Sequence, residues 1–89
     1  MTIKKEMILR KVGMDIILVP VGNAIKEHNG FFMLTETACF LWSKLPECKS
    51  VEELSRKLYD EYDVTEEQAL ADTEEFIGKL VELDIIEKN

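Results

Sequence analysis

The residues able to do covalent or proton-transfer chemistry are few and scattered. His28 is the only histidine, in a polar stretch beside Asn29 and Gly30, with no partner at a spacing that would make a triad or a metal site. Cys39 and Cys48 are nine positions apart, in no CxxC arrangement and with no histidine nearby, so they do not read as a zinc site. Two cysteines are also too few for a disulfide scaffold, and a reducing compartment keeps them as thiols. The acidic pairs Glu52/Glu53, Glu66/Glu67 and Glu74/Glu75 are adjacent in sequence, hence divergent on a helix, and read as solvated faces. Four glycines form no phosphate loop, and no serine sits in an elbow pattern. Catalysis by this chain alone is not expected, and no metal or cofactor is implied.

Elements must still be found that position whatever the chain does use. At 89 residues, 46% hydrophobic and 33% charged, it has the apolar content for one folded domain, residues 1–89, and no room for a second. No apolar run approaches the roughly 20 residues of a membrane span. The amino-terminal stretch lacks the apolar core and small-residue site of a secretory signal. The expectation is a cytoplasmic protein with no membrane partner. Residues 7–12 and 14–20 are rich in Ile, Leu and Val and flank Gly13, which predicts an antiparallel hairpin. After the punctuation of Pro20 and Gly22 and a mixed stretch over 23–29, residues 30–34 add a third strand.

From Thr35 the apolar period changes from two to about 3.6. Thr35 caps a first helix with Ala38, Leu41, Trp42 and Leu45 on one stripe, ended by Pro46. Ser50 with Glu53, and Thr65 with Gln68, carry the capping-box spacing and open two further helices. Ala69, Thr73, Phe76, Ile77, Leu80 and Leu83 line the third helix. Ile85 and Ile86 then either form a short strand or dock on the core. Strands first and helices second define an α+β class, a three-stranded antiparallel sheet followed by three helices.

A chain without catalytic groups acts through its surface, and two places hold more apolar groups than this fold needs. In the third strand Phe32 and Leu34 share one face and Phe31 and Met33 the other, so both faces are apolar; either the helices cover them both, or, as the last strand of the meander, it offers an unpaired outer edge. On the third helix the apolar arc spans about 160°, wider than the usual stripe. Asp72 and Lys79 stand just outside it on the side of Phe76 and Leu83. Phe40 points away from its own helix's buried stripe, either packing under residues 21–29 or making an exposed contact. An open edge beside an apolar helix flank is a site for strand addition by a peptide.

The order of segments resembles the family of pyrroloquinoline quinone biosynthesis protein D, PqqD. The resemblance lies in Ile16-Ile17-Leu18-Val19-Pro20-Val21-Gly22, in Gly30-Phe31-Phe32-Met33-Leu34-Thr35-Glu36-Thr37-Ala38 with Leu41-Trp42, and in the later Ser50-Val51-Glu52-Glu53-Leu54, Tyr62-Asp63-Val64 and Asp72, Phe76 and Leu80. Thr35 stands where the family commonly has Asn, and Asp84 where it often has Gly. Both changes are mild, since Thr also caps helices and Asp tolerates the left-handed conformation. The resemblance implies a winged helix-turn-helix-like fold that serves as a recognition element for ribosomally made precursor peptides. Such domains hold the leader segment as an added strand and present it to a maturation enzyme, frequently a radical SAM protein. It also implies that Phe31, Phe32, Met33 and Leu34 form the docking strand and that Asp72, Phe76, Lys79 and Leu80 contribute from the helix.

Two other classes compete. A winged-helix DNA-binding regulator follows from element order alone, but residues 66–82 carry six acidic side chains and only Lys79 as a base, which repels phosphate. A dimerisation module would pair the apolar strand with itself across a two-fold axis; otherwise the chain is expected to be a monomer or weak homodimer. The net charge of −7 is unevenly spread, with five basic and three acidic residues in 1–30 and five basic and fourteen acidic in 46–89. Nucleic acid is therefore a poor partner, and the bound leader, or the enzyme surface that meets the later helices, is expected to carry compensating basic residues.

Overall fold

A computed structural model describes residues 2–4, 6–21 and 32–87. Its central hairpin pairs β2 (Met7–Val12) with β3 (Asp15–Pro20) in the register Val12–Asp15 through Met7–Pro20. Gly13 has φ 64°, and among the described non-glycine residues only Asp84 has positive φ, so Gly13 and Met14 form a two-residue loop of type II′. Met14, expected at the start of the second strand, is thus the second loop residue and is fully exposed. The turn takes both residues because its twist matches that of the flanking strands. β4 (Phe32–Leu34) adds antiparallel to β3, with Leu34 opposite Ile16, Met33 opposite Ile17 and Phe32 opposite Leu18. Among the described residues the sheet order is β2-β3-β4, which leaves β4 at an edge.

Three helices follow, so the α+β order of a three-stranded antiparallel sheet and then helices holds. α1 (Glu36–Lys44) is capped by Thr35, whose hydroxyl accepts from the Ala38 N–H at 3.1 Å. Pro46 sits in a 3₁₀ turn, Leu45–Glu47, that closes it. α2 (Val51–Glu61) and α3 (Glu66–Glu82) are capped by Ser50 and Thr65 in the same way, each hydroxyl accepting at 3.1 Å. The reciprocal halves of the capping boxes differ. Glu53 accepts from the Lys49 N–H at 2.7 Å, and Gln68 donates to Asp72 at 2.8 Å along its own helix.

The core lies where the inner face of the sheet meets the helices. Met7 and Leu18 enter it from the strands, Leu41 and Leu45 from the first helix and its turn, Val51, Leu54 and Leu58 from α2, and Ala69, Phe76, Ile77 and Leu80 from α3. For Phe40, the expected place under residues 21–29 falls largely outside the described residues; among the described residues the side chain is half-buried rather than a free surface contact. Its ring meets Tyr62 edge-on at 5.5 Å, with the Lys44 ammonium 5.9 Å from its centroid. A second, two-stranded sheet pairs β1 (Thr2–Ile3) with β5 (Ile86–Glu87). Ile85 and Ile86 do both things left open for them: Ile86 starts this strand, and both side chains are buried. Among the described residues no helix is long and apolar enough to cross a membrane.

Candidate functional site

The hairpin register decides what the edge of the sheet presents. In a two-residue hairpin the flanking pair, Val12 and Asp15, exchanges both hydrogen bonds, and such pairs then alternate along the strands. Asp15, Ile17 and Val19 therefore face β2, and Ile16 and Leu18 face β4. Leu34 and Phe32, opposite Ile16 and Leu18, carry the ladder between β3 and β4. Met33 falls between them, so its N–H and C=O point out of the sheet. Its side chain is 60% exposed, whereas Leu34 packs against the core.

Beside this edge runs a groove of about 500 Å³. Met33 and Leu34 form one wall. Thr35, Thr37, Ala38 and Leu41 line it from the start of α1, and Asp72, Glu75, Phe76, Lys79, Glu82 and Leu83 from the opposite side on or just after α3. The geometry follows from local rules. The Thr35 cap turns the chain from extended to helical immediately after β4, which places the first turn of α1 at the end of the strand. On α3 the spacing i, i+4, i+7 puts Asp72, Phe76 and Lys79 on one flank, with Glu75 and Glu82 in the neighbouring row.

Of the residues expected at a binding site, Met33, Leu34, Asp72, Phe76 and Lys79 come together here. Leu80 does not line the groove. It is completely buried, because its position on the helix points it with Ile77 into the core. Phe32 supplies backbone to the ladder, while Phe31 and His28 lie outside the described residues. Glu75, Glu82 and Leu83 share the flank of Asp72 and Lys79, and the same helical spacing that selected those two reaches them. Thr37, Ala38 and Leu41 carry no such signal, since Ala38 and Leu41 read as ordinary core stripe.

The floor of the groove is apolar and its rim charged. Three carboxylates, on Asp72, Glu75 and Glu82, face one ammonium, on Lys79. Asp72 is steadied by Gln68, and Lys79 forms no ion pair among the described residues. The Thr35 and Thr37 hydroxyls lie 3.1 Å apart and share a hydrogen bond. No thiol or imidazole lines the groove among the described residues, and no group of three or more His, Cys, Asp or Glu is placed there to hold a metal ion. The arrangement offers hydrogen bonds, apolar surface and charge to an extended ligand.

Edge strand, groove and flanking helix are carried by one α+β fold, a three-stranded antiparallel sheet followed by three helices. Residues 16–86 match the family described as Coenzyme PQQ synthesis protein D, PqqD, and the chain belongs to that family. No curated protein sequence matches it. Among solved structures it is similar to TbiB1 in complex with the TbiA(beta) leader peptide. The TM-score is 0.73 at 21% sequence identity, and the alignment covers 100% of this chain and 98% of that one. The two share a fold.

Proposed function

We propose that this chain is a non-catalytic recognition protein for the leader segment of a ribosomally synthesised precursor peptide. The leader pairs with the outer edge of β4, lies in the groove against α3, and is presented to a maturation enzyme; family resemblance points to a radical SAM protein. The observation that carries this reading is the outward N–H and C=O of Met33 beside an apolar groove of about 500 Å³. Two findings support it: membership of the PqqD family, and a shared fold with a protein whose structure was solved with a leader peptide bound. A DNA-binding role is opposed by the acidic residues of α3, and the carboxylates of the groove itself sit where a phosphate backbone would be repelled.

The test uses Met33→Pro. On an edge strand proline costs the sheet no ladder hydrogen bond, so the fold is retained; the outward N–H and the Met33 side chain at the groove wall are both lost, and Met33→Ala, which keeps the N–H, is the reference that isolates the hydrogen bond. Titration of the wild-type chain with synthetic leader segments of precursor peptides is expected to shift amides of residues 33–38 and 72–83. Met33→Pro is expected to weaken binding at least tenfold, with its thermal transition nearly unchanged. Undiminished binding by this variant overturns strand addition, and a leader-insensitive dimer in sedimentation favours self-pairing of β4 instead.

A further inference from the structure

Given strand addition at β4, the groove also has a definite preference for what is added. We infer that it selects an extended segment whose groove-facing positions combine apolar residues with lysine or arginine, and that it discriminates against acidic segments.

Side chains of a strand alternate, so only every second residue of an added strand meets the groove. What those residues meet is apolar at the floor, from Leu34, Leu41, Phe76 and Leu83, and acidic at the rim. Asp72, Glu75 and Glu82 outnumber Lys79 by three to one, leaving the rim at −2. Lys79, flanked at i−4 by Glu75 and at i+3 by Glu82 and in ion-pair contact with neither, offsets one of these three charges and leaves two uncompensated. Asp72 and Glu82 are separated by about 15 Å along the helix axis, the length of four or five extended residues. One short segment therefore reaches acidic groups at both ends and apolar floor between them. Aliphatic stems of lysine or arginine suit such a border, covering apolar surface while their heads reach the carboxylates. The remaining negative charge of α2 and α3 draws a basic segment toward this side at long range and repels an acidic one.

Three synthetic peptides on one alternating scaffold, identical except for lysine, glutamine or glutamate at the groove-facing polar positions, test this by fluorescence anisotropy with the full chain. The expected order is lysine over glutamine over glutamate, about tenfold between the extremes at low salt, as for one or two partly screened ion pairs. The gap is expected to narrow as salt is raised and in the double variant Glu75→Gln/Glu82→Gln. Equal affinities, indifference to salt, or tightest binding of the glutamate peptide overturns the inference. If the peptides bind equally and Met33→Pro weakens them all, strand addition stands and the charge preference alone fails. If none binds, or all bind Met33→Pro as well as wild type, strand addition fails and the preference with it.

Discussion

α3 has two flanks with different duties. One carries Ala69, Thr73, Ile77 and Leu80, each at most 1% exposed, packed with the core residues of α2. Thr73 is the buried polar residue of this flank, and it needs no tertiary partner because its hydroxyl donates to the Ala69 carbonyl at 2.7 Å. The other flank carries Asp72, Lys79 and, past the helix end, Leu83 along the groove. Phe76 belongs to both, buried in the core and exposed at the groove floor along one side. A rotation about the axis of one helix thus separates the side chains that pack the core from those that line the groove, with Phe76 shared between them.

The largest effect is expected on the closed flank. Leu80→Ala deletes a fully buried side chain and is expected to cost about 2–5 kcal/mol in urea unfolding. Leu83→Ala on the open flank removes a half-buried side chain and is expected to cost only about 1 kcal/mol, while weakening leader binding about tenfold. Equal stability losses from the two would erase the distinction between the flanks.

The end of α3 provides a smaller and sharper contrast. Asp84 adopts φ 59°, the Ile85 N–H reaches the Leu80 carbonyl at 2.8 Å and the Asp84 N–H reaches that of Val81 at 2.9 Å, which is a Schellman closure with aspartate in the left-handed position. The turn drives Ile85 into the core over Leu80. The Lys4 ammonium lies 2.6 Å from the Asp84 carboxylate, but both groups are substantially exposed and the pair contributes little. Backbone strain therefore dominates. Asp84→Gly is expected to be more stable than Asp84→Ala by about 1 kcal/mol, measured by thermal unfolding. Both variants lack the carboxylate that meets Lys4, so their difference reads the backbone alone, and the reverse order would mean that the left-handed conformation carries no cost at this position.

Much of this was legible because it is local. Gly13, the three hydroxyl caps and the tolerance of Asp84 for positive φ are each decided by neighbours within a few residues. The pairing of β1 with β5 was not, since two-residue strands carry no periodicity and their partners lie at opposite ends of the chain. Phe40 was unreadable for the same reason: its place against Tyr62 is tertiary. At the site, helical spacing identified the flank of Asp72, Phe76 and Lys79. An angle on a helix does not say which neighbour it meets, however, so sequence alone places Leu80 with the groove and Ala38 and Leu41 with the core stripe.

The smallest effect separates the two cysteines, one at the closed interior and one on the partly open surface of α1. Cys48 follows the 3₁₀ turn and is 4% exposed, whereas Cys39 is half-buried. Burial raises the Cys48 thiol above its ordinary value, with the Glu53 charge acting in the same direction. Below the ordinary thiol range both folded and unfolded chains hold this proton, and its contribution to stability is fully present. As pH rises past that range the unfolded chain releases the proton first, so stability falls until the raised folded value is passed, by at most about 1.4 kcal/mol per pH unit for one proton. Tyr62, raised chiefly by desolvation and then by the Glu36 and Glu61 charges, adds a loss of the same sign at higher pH. Cys48→Ala is expected to flatten the first part of this alkaline decline in urea unfolding and to leave the later part in place. Cys39 is expected to react with iodoacetamide in the native state, while Cys48 reacts only as fast as the core opens. Equal labelling rates for the two thiols would show that the interior between α1 and α2 opens as readily as the surface that bears Cys39.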